Sequence, residues 1–300
     1  MNPLKIFLRP EYLFRPRQIL HRLKRVYQVP KPSGETVLLP WGDSIKVFTN
    51  EIIGSGIWCY GVFDLIVGEA ILRLLDKGET ALDIGANIGQ FSTLMARKVG
   101  LNGKVFSFEP HPDLYHELAS NCSSYINIQK TLRAHNSALG KNSGSGTLII
   151  PKEFGGNRGT SRVGTAGPKD GDTFKIKIET LDEVCEALRS IGVCKIDVEG
   201  HESEVFKGAS KTLEQKKIRD IIYEDVGFAN TDLQQILTTA GYTIFSLHTD
   251  VLKPRLSPFL RKQPFKINQE GENFLATLDP VRAVDRFQGF GWRSLRKTRD

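Results

Sequence analysis

The hydrophobic positions of the chain alternate between two spacings. Short apolar runs that end in acidic or glycine residues are typical of buried strands, and stretches with helical spacing separate them. Strands that alternate with helices predict a mostly parallel sheet with helices on both faces. The strand runs include 79–84, 103–109, 194–200, 218–226, 241–248 and 273–279, and the helical stretches include 88–98, 111–122 and 231–240. Because ligands of such sheets bind beyond the carboxyl ends of the strands, we expect the functional residues at that edge.

Segments outside this alternation have other patterns. Residues 36–49 predict two short strands around a Trp-Gly-Asp turn, and 60–77 predict one amphipathic helix. The glycine- and serine-rich stretch 140–172 predicts a mobile connection, and Thr180 is a candidate N-cap. We therefore divide the chain into a basic N-terminal arm (1–35), a cap element (36–78), a main domain (79–278) and a basic C-terminal tail (279–300).

The net charge of +7 is concentrated at the two ends of the chain. Residues 1–32 carry +7, residues 281–300 carry +4, and the body between them carries −4. A nucleic-acid enzyme spreads its cations over the body that holds the substrate, so this distribution argues against a nucleic-acid substrate. The N-terminal arm mixes its cations with leucine and aromatic residues, which suggests peripheral contact with an anionic membrane surface.

Cysteine usage and hydropathy indicate a cytoplasmic protein. The four cysteines have no metal-type spacing and are too sparse for a disulfide scaffold, so we expect reduced, buried thiols. No stretch approaches the roughly 20 apolar residues of a membrane span, and the arginines and prolines of the first segment exclude a signal peptide. The pattern leaves the oligomeric state open.

A glycine-containing turn between strand and helix is the first candidate site. The segment DIGANIG (83–89) lies where glycine allows a sharp turn and close approach to a ligand, and Glu109 ends the next strand 20 residues later. That spacing suits a carboxylate that binds ribose hydroxyls. A nicotinamide site with the pattern G-x-G-x-x-G would need glycine where Asn87 and Gln90 stand, which favours a cofactor without phosphate.

Four motifs in order resemble those of the FkbM-type S-adenosylmethionine-dependent methyltransferases, over roughly residues 36–278. They are LDIGANIGQFS, VFSFEPHP, ETLDEV and KIDVEGHESEVFKGA. The resemblance implies a Rossmann-like class I methyltransferase fold with a seven-stranded sheet and a small N-terminal cap. It also implies S-adenosylmethionine as cofactor, with Gly85, Asn87 and Gly89 around its methionine part, Asp83 bracing the turn or in direct contact, and Glu109 on the ribose.

Acidic residues also end the two later strands of the predicted sheet. Asp197 and His201 follow one strand, and Glu224 and Asp225 end the next, so all four should lie at the carboxyl edge. One route makes Asp197, Glu224 and Asp225 ligands of Mg²⁺, which would lower the pKa of an acceptor hydroxyl. The metal-free route makes His201 or Asp197 the general base, with Glu224 beside it.

These observations favour methyl transfer to a hydroxyl of a sugar, glycan or other small molecule. Two alternatives are a nicotinamide-dependent oxidoreductase and a non-catalytic cofactor-binding scaffold. The pattern at Asn87 argues against the first alternative. The cluster of carboxylates, which repel one another, argues against the second because a protein without catalysis has no use for it.

Overall fold

A computed structural model describes residues 9–25, 31, 33–123, 126–151, 158–164, 170–225, 231–259 and 272–297. The largest sheet has eight strands in the order β13-β12-β14-β11-β10-β3-β4-β5. Its strands are β3 (Thr80–Ile84), β4 (Lys104–Phe108), β5 (Leu132–His135), β10 (Ile191–Ile196), β11 (Ile218–Asp225), β12 (Thr243–Thr249), β13 (Pro254–Pro258) and β14 (Glu272–Thr277).

The main sheet is mostly parallel, as the alternating pattern predicts. Strands β5, β4, β3, β10 and β11 are parallel to one another, while β14 is antiparallel to both β11 and β12. The expected class I methyltransferase architecture is confirmed, although the sheet has eight strands in the described residues rather than seven. The additional strand is β13 at the edge, which pairs antiparallel with β12.

Two apolar layers enclose the sheet because adjacent strand residues point to opposite faces. Val193 and Ile222 belong to one layer, and their neighbours Cys194 and Ile221 belong to the other. The helices are α1 (Pro10–Phe14), α2 (Arg17–Arg25), α3 (Ile52–Tyr60), α4 (Leu65–Leu74), α5 (Gln90–Val99), α6 (Pro112–Ser123), α7 (Ile126–Thr131), α8 (Leu181–Cys185), α9 (Glu202–Lys207), α10 (Ser210–Glu214), α11 (Thr231–Thr239) and α12 (Pro280–Gln288).

A second sheet replaces the mobile connection that the glycine-rich stretch predicts. It has the order β6-β9-β7-β8. Gly146 lies where a side chain would collide with Ile178, so the glycine permits the two strands to pack closely. The prediction was therefore wrong for much of the stretch, and 152–157 and 165–169 lie outside the described residues. The strands are β6 (Ala138–Leu139), β7 (Gly144–Pro151), β8 (Arg162–Val163) and β9 (Asp170–Glu179).

The cap element contains a short antiparallel pair, β1 (Glu35–Leu38) and β2 (Ser44–Val47), as expected. The helix predicted over 60–77 is confirmed as α4, but it is shorter than predicted, because it begins at Leu65 and ends at Leu74. The preceding helix α3, which the pattern did not predict, ends at Tyr60, and Gly61 and Asp64 have positive φ in the loop between the two helices. This loop, residues 61–64, lies against the start of α5.

The remaining expectations concern caps, cysteines and membrane spans. Thr180 does cap α8, in a reciprocal capping box with Glu183. All four cysteines are buried and none is in a disulfide. Within the described part of the chain, no helix is both long enough and apolar enough to cross a membrane.

Candidate active site

The turn between β3 and α5 is held in a left-handed conformation at three residues. Gly85, Asn87 and Gly89 have φ values of 75°, 49° and 89°. A Cβ atom at Gly85 would lie 1.8 Å from the carbonyl oxygen of Asp197, so glycine is required for the loops after β3 and β10 to meet. A Cβ atom at Gly89 would lie 2.7 Å from Leu118, so this glycine admits α6. Gly85 and Asn87 line a cavity at the carboxyl edge of the sheet, whereas Gly89 supports the turn from behind.

Asp83 braces the turn and does not line the cavity. Its side chain is fully buried, and Oδ2 accepts a hydrogen bond of 2.6 Å from Ser92 of α5. Ser92 Oγ in turn accepts one from Ser107 Oγ. Of the two roles that the sequence allows for Asp83, these contacts favour the supporting one.

Glu109 lines the cavity and accepts hydrogen bonds from two backbone amides. Its Oε2 accepts from the Asn87 amide at 2.8 Å, and its Oε1 accepts from the His111 amide at 2.9 Å. Burial raises the pKa of Glu109 to about 7, although these two hydrogen bonds act in the opposite direction. Each carboxylate oxygen keeps one lone pair that can accept from a bound hydroxyl.

Lys195 is a central residue of the site that the sequence reasoning did not single out. Its ammonium group is buried between Asp83 Oδ1 at 3.5 Å and Asp197 Oδ2 at 3.4 Å, and it donates to the Gly85 carbonyl at 2.7 Å. Asp197 and Asp83 raise the pKa of Lys195 against the opposing effect of burial, so the charge persists. A lysine within an apolar strand was the available signal, because a buried ammonium needs acidic partners.

Carboxyl groups crowd the cavity beyond Asp197, whose side chain is 39% exposed. Burial raises the pKa of Glu224 to about 8, with Asp197, Asp64 and Glu199 adding to the rise. Burial and Asp197 likewise raise the pKa of Glu199 to about 7 and that of Asp64 to about 6. We call Asp64, Asp197, Glu199 and Glu224 the acidic cluster. Its members Asp64, Glu199 and Glu224 have raised pKa values because burial and neighbouring carboxylates disfavour their charged forms.

Asp64 reaches the acidic cluster from the loop between α3 and α4, and sequence reasoning missed it. Asn273 Nδ2 of β14 donates to its Oδ2 at 3.0 Å. Gln90 fixes the same loop, because its side chain exchanges hydrogen bonds of 2.7 and 2.8 Å with the backbone of Phe63. Gln90, which stands where the nicotinamide pattern requires glycine, thus connects the cap element to the cavity lining.

His201 lines the cavity but lies apart from the acidic cluster. Burial lowers its pKa, and the charged groups that act on it are Glu204 and Lys207 rather than Asp197. Its Nε2 lies 3.4 Å from the position that a Cβ atom at Gly140 would occupy. The neutral imidazole remains available as a proton acceptor.

The predicted Mg²⁺ set of Asp197, Glu224 and Asp225 is not assembled. Glu224 and Asp225 are consecutive residues of β11, so their side chains point to opposite faces of the sheet. The pKa of Asp225 is raised by burial with no contribution from Asp197 or Glu224. Within the described residues, no group of three His, Cys, Asp or Glu side chains could hold a metal ion.

The charges of the cavity suit a cofactor that is cationic at its reactive atom. Glu109, Asp197 and Glu199 line it. Its two cations are both committed, since Lys195 is held by Asp83 and Asp197, and Arg158 is held by Glu51 and Glu117. A pyrophosphate would therefore meet carboxylates without a free cation in the described lining, whereas ribose hydroxyls and a sulfonium find acceptors and negative charge.

The acidic cluster gives a stability prediction. Groups whose pKa is raised on folding stabilise the folded state at low pH, and that stability is lost as pH rises to the folded pKa. Between about pH 7 and pH 8, where unfolded histidines are mostly neutral, we expect the thermal midpoint to fall. Glu224→Gln should flatten this fall and raise the midpoint at pH 8. Glu204→Gln is the control, because Lys207 lowers the pKa of Glu204 and its titration ends at lower pH; equal slopes in both variants would contradict the assignment.

Comparison with known proteins finds similarity to methyltransferases. Residues 83–252 match the family described as "Methyltransferase FkbM domain". The hexuronic acid methyltransferase AglP of Haloferax volcanii is 30% identical over 198 residues, which cover 63% of this chain and 74% of that protein. Methyltransferase sdnD of Sordaria araneosa is 29% identical over 199 residues, covering 54% and 73%.

A solved structure also resembles the chain. A methyltransferase FkbM from Methylobacillus flagellatus superposes with a TM-score of 0.44 at 16% identity. The match covers 66% of this chain and 43% of that one, so the chain spans less than half the length of the solved protein.

Proposed function

The chain belongs to the FkbM methyltransferase family, and on that premise we propose that it methylates a hydroxyl oxygen of a sugar or other polyhydroxylated small molecule. S-adenosylmethionine, when bound, supplies an electrophilic methyl group on a sulfonium sulfur. The observation that carries the proposal is the acidic cluster beside a cavity with no uncommitted cation in its described lining. An alkyl hydroxyl needs a proton acceptor before it becomes a good nucleophile, and this edge of the sheet provides several.

The cofactor would be held by the turn after β3 and by Glu109. Glu109 already accepts from two backbone amides, and it lines the cavity, where ribose hydroxyls can donate to its remaining lone pairs. Gly85 and Asn87 would surround the methionine part. Asp83 and Gly89 would act indirectly, by fixing the turn against α5 and α6.

Asp197 is the proposed general base. It lines the cavity, it is partly exposed, and its Oδ2 lies 3.4 Å from the Lys195 ammonium group. Glu224, with its pKa near 8, carries a proton at neutral pH and can donate a hydrogen bond. His201 remains the alternative base, because it lines the same cavity as a neutral imidazole.

The charge of the cavity favours a neutral acceptor over a carboxylated one. AglP is named for hexuronic acid, whose carboxylate would need a cationic partner. In this chain Arg158 and Lys195 are both neutralised by paired carboxylates, and the acidic cluster would repel a further negative charge. We therefore propose neutral sugar hydroxyls as the acceptor class.

A labelled-methyl assay against cell extract, followed by mass spectrometry of the product, tests the proposal. We expect a methyl ether on a neutral sugar or glycan. A methyl ester, an N-methyl product or a carboxylated acceptor would contradict the corresponding part of the proposal.

Since Asp225 faces away from Asp197 and Glu224, we expect transfer to continue in EDTA. Activity that stops in EDTA and returns with Mg²⁺ would reinstate the metal route.

Contact between the N-terminal arm and a membrane stays a prediction. Leu13 of α1 and Leu20 and Leu23 of α2 are more than half exposed, and arginines flank α1 and occur within α2, which supports this contact. Residues 1–8 and 26–30 lie outside the described part of the chain. Binding to anionic vesicles is the measurement that checks this contact.

A further inference from the structure

The C-terminal segment is anchored to the domain by a buried ion pair. Arg73 and Glu69 of α4 are both fully buried, with Nε and Oε1 2.7 Å apart. Glu69 Oε2 accepts from the backbone amide and the hydroxyl of Ser294, and Arg73 donates to the Gly291 carbonyl. Trp292 is buried in the same core. The basic residues that follow are therefore held at fixed positions rather than on a free tail.

This anchoring places several cations around a cavity of about 640 Å³. Lys77 comes from the segment before β3, and Arg97 and Lys98 come from the last turn of α5. The C-terminal segment contributes Arg293, Arg296 and Lys297. We call this site the basic cavity; the exposed side chain of Leu101 also lines it.

The basic cavity lies away from the methyltransferase site. Helix α5 begins at Gln90, which lines the active-site cavity, and ends at Val99, which lines the basic cavity. A helix of this length separates its ends by about 15 Å. A ligand in the basic cavity would therefore contact a different surface from the cofactor and acceptor.

The cations of the basic cavity are largely without acidic partners. Arg97 forms a bidentate pair with Asp43. Within the described residues no carboxylate lies within 4.0 Å of the charged groups of Lys77, Lys98, Arg293 or Lys297. The nearby Asp76 is occupied by Arg282 and Arg286.

The dipole of helix α5 explains only part of this concentration of positive charge. Cations in the last turn of α5 complement the negative end of the helix dipole, which accounts for Arg97 and Lys98. Arg293, Arg296 and Lys297 are brought to the same place by a separate segment, and Arg296 also lies over the ring of Phe14 from the N-terminal arm. The two basic ends of the chain thus meet beside one cavity. Mutual repulsion there is relieved when an anion binds.

We propose that the basic cavity binds a phosphate-bearing anion, which Arg293 and Lys297 contact together with Lys98. These guanidinium and ammonium groups come from two segments of the chain and supply charge-assisted donors, which suit a phosphate group. This site is independent of the proposed methyl transfer, so either can fail alone.

Pyrophosphate titration by calorimetry at low ionic strength tests the proposal. We expect binding by the full chain, and a loss of about tenfold or more in Arg293→Gln/Lys297→Gln, since a charged hydrogen bond contributes roughly 1.5–3 kcal/mol. Arg189→Gln/Lys211→Gln removes the same charge from exposed positions elsewhere and should bind like the parent chain. An equal loss in both double variants overturns the proposal. It is also overturned if the parent chain binds neither pyrophosphate nor the anionic vesicles described below. Unchanged S-adenosylmethionine affinity shows that the variants are folded.

Vesicles separate the two sources of phosphate. Vesicles of phosphatidylcholine with phosphatidylglycerol carry anionic headgroups, and vesicles of phosphatidylcholine alone are the comparison. Binding to the former that pyrophosphate displaces, and that Arg293→Gln/Lys297→Gln loses, assigns the site to a lipid headgroup. Pyrophosphate binding without vesicle binding assigns it to a free phosphate compound. Either result supports the proposal that the basic cavity binds a phosphate group.

Discussion

Asp197→Asn should lower methyl transfer by about 10²–10⁴-fold while leaving S-adenosylmethionine affinity within about twofold of the parent chain, since a positioned base contributes roughly that factor. The asparagine keeps the size of the side chain but cannot take a proton from the acceptor hydroxyl. Lys195 keeps its contacts with Asp83 and the Gly85 carbonyl, so the turn proposed to bind the cofactor remains in place. Calorimetry measures the affinity, and the initial rate of label transfer at saturating cofactor measures the reaction.

Asp225→Asn is the matched control for this prediction. It makes the same chemical change on β11 but on the opposite face of the sheet from Glu224. We expect near-parental transfer from this variant. Loss of transfer in Asp225→Asn as large as in Asp197→Asn would restore the shared metal site.

His201→Gln distinguishes the two candidate bases. If Asp197 is the base, His201→Gln retains most of the transfer rate and the pH profile of the parent chain. Normal turnover in Asp197→Asn together with a large loss in His201→Gln would move the role to the histidine. The separate surroundings of the two residues, acidic for Asp197 and flanked by Glu204 and Lys207 for His201, keep the two results independent.

The sequence predicts which residues after the first strands of the main sheet line the cavity, because the signals for them are local. Apolar runs identify β3 and β4, and the residues that end or follow them, Gly85, Asn87 and Glu109, do line one cavity. The strand ends that place Asp197 and Glu224 close together are predicted by the same rule. The rule fails at Asp225, because it locates a strand end without assigning alternate residues to opposite faces.

The missed residues depend on contacts between distant segments. Asp64 enters the site because α4 begins at Leu65, five residues later than predicted, and the loop before it is fixed by Gln90 and Asn273. The sequence also contains a signal for the docking of the C-terminal segment, although the count of basic and acidic residues does not reveal it. Glu69 lies on the apolar face of a helix with Arg73 four residues later, and a fully buried ion pair requires further polar partners, which Ser294 and Gly291 provide.

The same charge distribution places the two proposed functions at different ends of α5. The carboxyl edge of the sheet collects acids around a cavity suited to a cationic cofactor. The other end of α5 collects cations from α5 itself, from the segment before β3 and from the C-terminal segment. The net charge of +7 is therefore informative only after the fold distributes it.

Glu109→Gln should weaken cofactor binding by about 10–100-fold, because hydrogen bonds to a charged group contribute roughly 1.5–3 kcal/mol. The amide keeps one acceptor oxygen, but its NH₂ group would face a backbone amide of Asn87 or His111. Glu214→Gln, at an exposed position of α10, is the control and should bind like the parent chain. Calorimetry with S-adenosylhomocysteine measures the effect. This ligand lacks the sulfonium charge, so titration of the acidic cluster contributes little to its affinity.

The pH dependence of this affinity separates ribose binding from support of the turn. With its pKa near 7, Glu109 gains its negative charge between about pH 6 and 8, and the ionised carboxylate is the better acceptor for ribose hydroxyls. The parent chain should therefore bind S-adenosylhomocysteine more tightly as pH rises across this range, and Glu109→Gln should lose the dependence. A variant that binds weakly yet keeps the parental pH profile would show that Glu109 only supports the turn, since the titrating group would then lie elsewhere.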